Sequence, residues 1–443
     1  MRLSPNSVNG ALLAALAAML AACGDATQPS VAPPLGPSKT LATGRSVSPS
    51  ASVTETVLYS FGSHQPDGIY PTAGLTRVKG ELYGVTSEST ASREGSIYSV
   101  TTSGVETVLH KLTKKQGTQD LRDLTSVGRD LYGTAFQGGA YDYGSVFKVA
   151  PTGRVIVLHS FPEVGGTDGA FPWTSLLSVN GTLYGTTFAG GTSDAGTVFS
   201  ITGSGAESVL YSFAGENSGD GSLPEAGLVK LGGKLYGTTS AGGTSDRGTV
   251  FSVSTAGTER VLHSFQGTPD GADPIADLIA IDGTLYGTTL TGGTGCPTLG
   301  GCGTVFSISP SGTYTVLYRF TGTPDGENPA TSLLNFDGTM YGTTYAGGAS
   351  GFGTVFSITP SGSETVLYNF AGGQDGAKPD GDLIEVKGTL YGTTEMGGGS
   401  GYGYGTVFSL TPANRTSNHN CLSNYGKWEP RAQNCYSWDK HFH

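Results

Sequence analysis

The chain has 443 residues, with 72 Gly, 22 Pro, 21 Tyr and 18 Phe but only 13% charged residues and a net charge of −11. Glycine in such excess, interleaved with Val, Leu, Tyr, Phe and Thr, disfavours long helices and suits many short strands joined by tight turns. The acidic balance argues against binding of nucleic acid or anionic lipid by the body of the protein.

In chain order, the first element is the apolar run ALLAALAAMLAA at 11–22, preceded by a lone Arg2. It is short for a bilayer span and reads as an export signal over residues 1–22. Leu20-Ala21-Ala22-Cys23-Gly24 follows. This resembles the lipobox of bacterial lipoproteins, which implies cleavage before Cys23 and acylation of its thiol. Several acyl chains on one Cys anchor firmly, since each buried methylene adds about 0.8 kcal/mol. Loss of residues 1–22, whose only charge is Arg2, takes the net charge from −11 to about −12. Residues 23–54 are rich in Pro, Ser and Ala without apolar period and read as an extended tether.

From residue 55 to 412 the sequence repeats. In 324–370 four strand-like runs follow one another. They are SLLNF (a), TMYGTT (b) after an Asp-Gly turn, TVFSI (c) after a glycine-rich loop, and ETVLYNF (d) after TPSGS. The b-run tyrosines Tyr83, Tyr132, Tyr184, Tyr236, Tyr286, Tyr341 and Tyr391 are 49 to 55 residues apart. Seven four-stranded meanders of this size predict an all-β, seven-bladed β-propeller, against the competing β-solenoid, whose coils are shorter. Run d is out of frame: VLYSF at 57–61 precedes the first a run, and the last c run at 405–410 has no d run after it. Pairing of the N-terminal d strand with the C-terminal abc set closes the ring. Within VLYSF, plain alternation puts Val, Tyr and Phe on one face; the glycine of LYGTT is expected to let a neighbouring blade approach closely. His110, His159 and His263 interchange with Tyr59, Tyr211, Tyr318 and Tyr368, which reads as packing.

If strand a runs downward, the b–c loops and the d–a crossings share a top face, and these carry the variation in length. Six crossings contain D-G-x-x-P, led by Asp67, Asp168, Asp220, Asp270, Asp325 and Asp375. They read as turn formers, with a ring of cation ligands as the functional alternative. One carboxylate per blade falls short of the six to eight oxygens of a calcium site. The second crossing, TKKQGTQDLRDL, departs from the pattern and offers Asp120. The GGxxxxG loops lead into strands, which excludes a helix-borne phosphate site. Aromatics on the top loops are the binding candidates: Trp173 foremost, with Phe171, Tyr70, Tyr141, Tyr143, Tyr402 and Tyr404, and further Phe136 and Phe352. No catalytic motif is present, His64 beside Asp67 being a weak acid–base candidate, and no cofactor, metal site or catalytic residue is assigned.

The five cysteines divide into Cys23, Cys296 with Cys302, and Cys421 with Cys435, each pair near enough in sequence to close a small loop. The tail 413–443 lacks the repeat motifs and reads as a disulfide-closed appendage, with His441 and His443 at its end.

The repeated LYGTT…GG…GTVF, intact in blades 3 to 7 (MYGTT in blade 6) and altered to LYGVTSES and GSIY in blade 1, resembles the GloVer tandem repeat. That family of bacterial surface proteins is described as choice-of-anchor because its members end in different attachment signals. The resemblance implies a cell-envelope protein and brings no reaction or ligand with it. The expectation is an exported, lipid-anchored, monomeric propeller facing periplasm or cell surface that binds a glycan or an envelope protein through its top loops. The alternatives are a polysaccharide-active hydrolase or lyase, and a structural or adhesion element.

Overall fold

In the computed structural model, the described residues are 53–62, 68–89, 94–162, 164–215, 218–296, 300–399 and 403–412. The signal 1–22, Cys23, most of the tether, His64, Asp67, Tyr402 and the tail with Cys421 and Cys435 lie outside them. The described chain contains no α-helix and folds into seven antiparallel blade sheets, six of four strands and one, blade 2, with a fifth strand at Thr118–Leu121. Blade 1 comprises strands a to d at Thr76–Val78, Glu81–Thr86, Ser96–Val100 and Glu106–Lys111. Five further blades repeat this order. The seventh is built from Ile384–Val386, Thr389–Thr394, Thr406–Thr411 and, as its outer strand, Thr54–Ser60.

The ring therefore closes as the frame of the repeats requires, with Thr54 opposite Thr411 and Ser60 opposite Thr406. Seven apolar clusters occupy the seven blade junctions. The cluster of Leu75, Leu82 and Tyr98 with Val386, Tyr391 and Val407 joins blade 1 to blade 7. The core is thus a ring of inter-blade layers, each built on one fully buried c-strand aromatic such as Phe199 or Phe356.

The two threonines of LYGTT have separate roles. The first reaches the next blade in blades 2 to 5 and 7: Thr186 Oγ1 donates to the Ala226 carbonyl at 2.8 Å, and Thr393 Oγ1 to the Ala73 carbonyl at 2.9 Å across the closure, whereas Thr343 of blade 6 pairs with Thr331 of its own blade. The second stays within its sheet, as in the 2.8 Å pair Thr187–Thr197 and the 2.9 Å pair Thr344–Thr354. Reciprocal pairing satisfies these buried threonine hydroxyls.

Two local expectations are corrected. The glycine of LYGTT makes room for its own blade: a Cβ at Gly185 would stand 2.8 Å from the Phe199 ring, and one at Gly392 2.7 Å from Phe408, its cross-strand partner. Alternation along VLYSF is also broken, because each c–d pair carries a bulge at the leucine. Val57 lies opposite Phe408 while Tyr59 lies opposite Val407, so Leu58 is the extra residue and Val57 and Tyr59 face opposite sides. Tyr59 and Phe61 still share a face and meet edge to face at 5.1 Å. A bulge repeated in every blade increases the local twist of the outer strand.

Candidate functional site

The d–a crossings and b–c loops share one face, where they are stitched together. Gly169–Ala170 pairs with Ala189–Gly190, and Gly221–Ser222 with Ala241–Gly242. Blades 5 to 7 make the same contact through single bridges such as Ala272 with Thr291. Both described chain ends, near Thr54 and Thr411, lie at the opposite ends of their strands, away from this top face.

At the outer rim the crossing aspartates are held by their own blade's outer strand. Asp168 meets His159 at 3.1 Å, Asp220 meets Tyr211 at 2.8 Å, Asp325 meets Tyr318 at 2.6 Å and Asp375 meets Tyr368 at 3.0 Å. They also accept backbone N–H groups, for example Ala214 to Asp220 and Ala371 to Asp375, both at 2.7 Å. In the second crossing the counterpart is Gln116, followed by Gly117 and 3.0 Å from His110; Asp120 falls instead where other crossings have proline. The Tyr/His column is therefore a polar column, with its rings packed edge-on against Phe161, Phe213 and Phe265.

The three tyrosine junctions each add a glutamate from the next blade's outer strand: Glu259 beside Tyr211–Asp220, Glu364 beside Tyr318–Asp325, and Glu55 beside Tyr368–Asp375. Burial, then the charge of the neighbouring aspartate, raises each glutamate to about 7. The tyrosine hydroxyl has one proton, and it goes to the aspartate. Contact with the tyrosine hydroxyl offsets part of the rise in each glutamate.

On the axis, the residue preceding the leucine of each a strand lines a narrow throat. This column reads Gly74, Asp123, Ser175, Gly227, Asp277, Ser332 and Asp382. The Gly74 N–H donates to Asp123 at 2.5 Å, Gly227 N–H to Asp277 at 2.5 Å and Ser332 N–H to Asp382 at 2.7 Å. Ser175 Oγ donates to Asp277 from two blades away, which shows how closely the column converges. Above it opens a cavity of about 40 Å³, lined among others by Arg122, Trp173, Glu225 and Asp380. The Arg122 guanidinium lies 4.4 Å from the centre of the Trp173 ring. Burial raises the Asp380 carboxyl to about 7 despite Arg122, and burial with the Asp277 charge raises Asp123 to about 6. A second top-face cavity, of about 320 Å³, lies between blades 4 and 5 against Arg247, Gln266, Thr268, Asp273 and Thr291.

The sequence-predicted aromatics divide. Phe171 and Phe136 stack at 5.0 Å and are buried, Trp173 meets Phe136 at 5.3 Å, and Tyr143 meets Phe171 at 5.4 Å. These form one cluster over blades 2 and 3, joined by Phe188. Tyr70 pairs with Tyr404 at 6.0 Å over the blade 7–1 junction, while Tyr141 and Phe352 are exposed and belong to neither group. Phe171 and Tyr70 share a feature that composition hides. In six crossings the residue before proline has φ of 54° to 58°, and it is in turn Tyr70, Phe171, Leu223, Asp273, Asn328 and Lys378. Non-glycine residues held in this region carry strain, and here the strained position varies in chemistry from blade to blade. Arg122, Glu225, Asp380 and the throat aspartates were not singled out from the sequence. Aligning the seven crossings on the a-strand leucine puts the throat aspartates in one register and Glu225 with Asp380 in another, with Arg122 one residue further on.

The fold and its top-face funnel define a closed seven-bladed β-propeller. The sequence matches the Gloeobacter/Verrucomicrobia repeat over residues 45–251 and again over 230–435, and the chain belongs to that family. No curated protein matches it. Among solved structures it is similar to a puromycin hydrolase, at 14% identity and TM-score 0.48, covering 73% of this chain and 50% of that one. A protein from Lactobacillus plantarum gives 15% identity and TM-score 0.48, covering 72% of this chain and 95% of that one. The chain spans about half the length of the puromycin hydrolase. Loop 292–303 of blade 5 carries the Cys296–Cys302 disulfide, which with the bacterial surface repeat family is consistent with an extracytoplasmic location.

Proposed function

We propose that this protein is a binding propeller of the bacterial envelope, tethered through a lipidated Cys23, which takes a glycan or an envelope protein on its top face. The observation that carries the reading is the mouth of the funnel. There the Trp173 ring, capped by Arg122, stands beside Glu225 and Asp380, and the blade 2–3 aromatic cluster adjoins it. Aromatic rings with neighbouring polar groups suit a sugar or a protein hot spot. The test is a glycan-array and cell-wall-polysaccharide screen on residues 24–443 beside Trp173→Ala, with circular dichroism to confirm the fold. Selective binding lost in the variant is expected. Glycan binding that survives the variant unchanged removes the Trp173 platform from the reading, and no glycan binding at all makes a protein partner the better reading.

A second reading, an enzyme acting on an extracellular polymer, is favoured by the raised Asp380 and Asp123 carboxyls at one axial cavity. A cavity of about 40 Å³ admits water or an ion rather than a sugar ring, so such a substrate would have to reach in from above.

A further inference from the structure

Three columns of the repeat meet at the outer blade junctions: the Tyr or His of one d strand, the residue that opens D-G-x-x-P in the following crossing, and the residue at the start of the next d strand. Among the described junctions, one combines an imidazole with two carboxylates. Between blades 2 and 3, His159 Nε2, a carboxylate oxygen of Asp168 and one of Glu207 all lie within 4.8 Å of one another. Nε2 is 3.1 Å from Asp168 Oδ2, while Asp168 Oδ1 accepts the Gly169 N–H at 2.7 Å and fixes the carboxylate. Glu207 Oε1 is buried and has no hydrogen-bond partner. The His159 and Asp168 side chains are 21% and 22% exposed, so the junction is open to the surrounding solution.

We propose that His159, Asp168 and Glu207 form a site for a divalent transition cation of the zinc class, with water as the fourth ligand. Zinc takes nitrogen and carboxylate ligands at about 2.0–2.2 Å, which places tetrahedral ligand atoms about 3.4 Å apart. Small side-chain rotations bring the three groups to that spacing. Imidazole with only two carboxylates favours zinc over calcium, which needs six to eight oxygens. The ion gives the orphaned Glu207 oxygen a partner and joins two blades through three side chains.

The neighbouring junctions are built-in controls. At His263 the Glu position is Tyr314, whose ring lies flat on the imidazole at 3.8 Å and 3°. At His110 the crossing supplies Gln116, and Val155 stands where Glu207 would be. Tyr211, Tyr318 and Tyr368 fill the histidine position in other blades, so His159→Tyr is compatible with the fold.

The experiment is zinc titration calorimetry, thermal melting and the visible spectrum of the Co²⁺ form, on residues 24–443 and on the His159→Tyr and Glu207→Val variants. The tail histidines His441 and His443 are present in all three and cancel. Wild type should bind one zinc more than His159→Tyr, melt at higher temperature with zinc, and show tetrahedral Co²⁺ bands; loss of a ligand should weaken that site by about 100-fold or more. Glu207→Val should lose the same site, and it decides the matter if His159→Tyr does not fold. Equal zinc binding and melting in all three proteins, or no zinc uptake by wild type, overturns the proposal.

Discussion

The Tyr–Asp–Glu junctions should make this propeller less stable as the pH rises from acid to neutral. Glu55, Glu259 and Glu364 have carboxyls at about 7 in the folded protein against 4.5 when unfolded. Between those values the folded state holds more protons than the unfolded state, so stability falls with rising pH. The contribution is fully present below about 4.5 and is lost as pH passes through about 7. Moving one carboxyl over that interval is worth at most about 3.4 kcal/mol. All three side chains are half-buried, and solvent screening reduces this to about 1 kcal/mol apiece. Three junctions together give about 3 kcal/mol. Asp123 and Asp380 act in the same direction, so the junctions must be isolated by substitution. Guanidinium unfolding at pH 5, 6, 7 and 8 should show a loss for wild type that shrinks by about 1 kcal/mol in Glu364→Gln and by about 2 kcal/mol in Glu259→Gln/Glu364→Gln. A wild type whose stability is flat or rises over this range, or variants with the wild-type slope, would refute the raised glutamates as the source of the pH dependence.

Other expectations follow from packing and closure. Phe356→Ala, at a fully buried ring, should cost about 3–5 kcal/mol in denaturant unfolding. Gly237→Ala places a Cβ 2.8 Å from the Phe251 ring and should cost about 1–3 kcal/mol, whereas Gly338→Ala meets no atom within 4 Å and only adopts φ +75°, costing about 1 kcal/mol. Equal melting temperatures for the two would show that the ring does not set the glycine requirement. Thr393→Ala removes the hydroxyl bond to the Ala73 carbonyl across the closure and should cost about 1–2 kcal/mol, read by urea unfolding. Cys23→Ala should move the protein from the membrane fraction to the soluble envelope fraction, and retention on membranes would remove the lipid anchor from the proposal.

The architecture was legible because closure leaves a mark in the order of the motifs: VLYSF at 57–61 has no blade of its own until the chain returns to Thr406. Blade count and strand order follow from that frame. What alternation could not reveal was the bulge at Leu58 and its six counterparts, since an extra residue reverses the faces beyond it without changing the letters. The interchange of His159 and Tyr211 correctly suggested packing but concealed a hydrogen bond to an aspartate nine residues on, because imidazole and phenol serve equally as its partner. The candidate site was partly visible. Trp173 stood out as a rare residue on a top loop, while Arg122, Glu225 and Asp380 are ordinary charges that convergence on the axis alone makes noteworthy. Asp168 and Glu207 belong to different blades, and no linear motif joins them.

The pairing of Thr54–Ser60 with Thr406–Thr411 also sets an order of events during biogenesis. Ser409 and Thr56, which touch in the finished ring, are 353 residues apart in the chain. At a synthesis rate of about 5–20 residues per second, the first strand waits on the order of 20 to 70 s for its partner. Until then blade 7 has no outer strand, and an unpaired edge rich in Val, Leu and Tyr is open to other chains. The last step is also the one with the longest loop to close, so ring closure is expected to govern how fast the propeller forms and where it is captured by quality control.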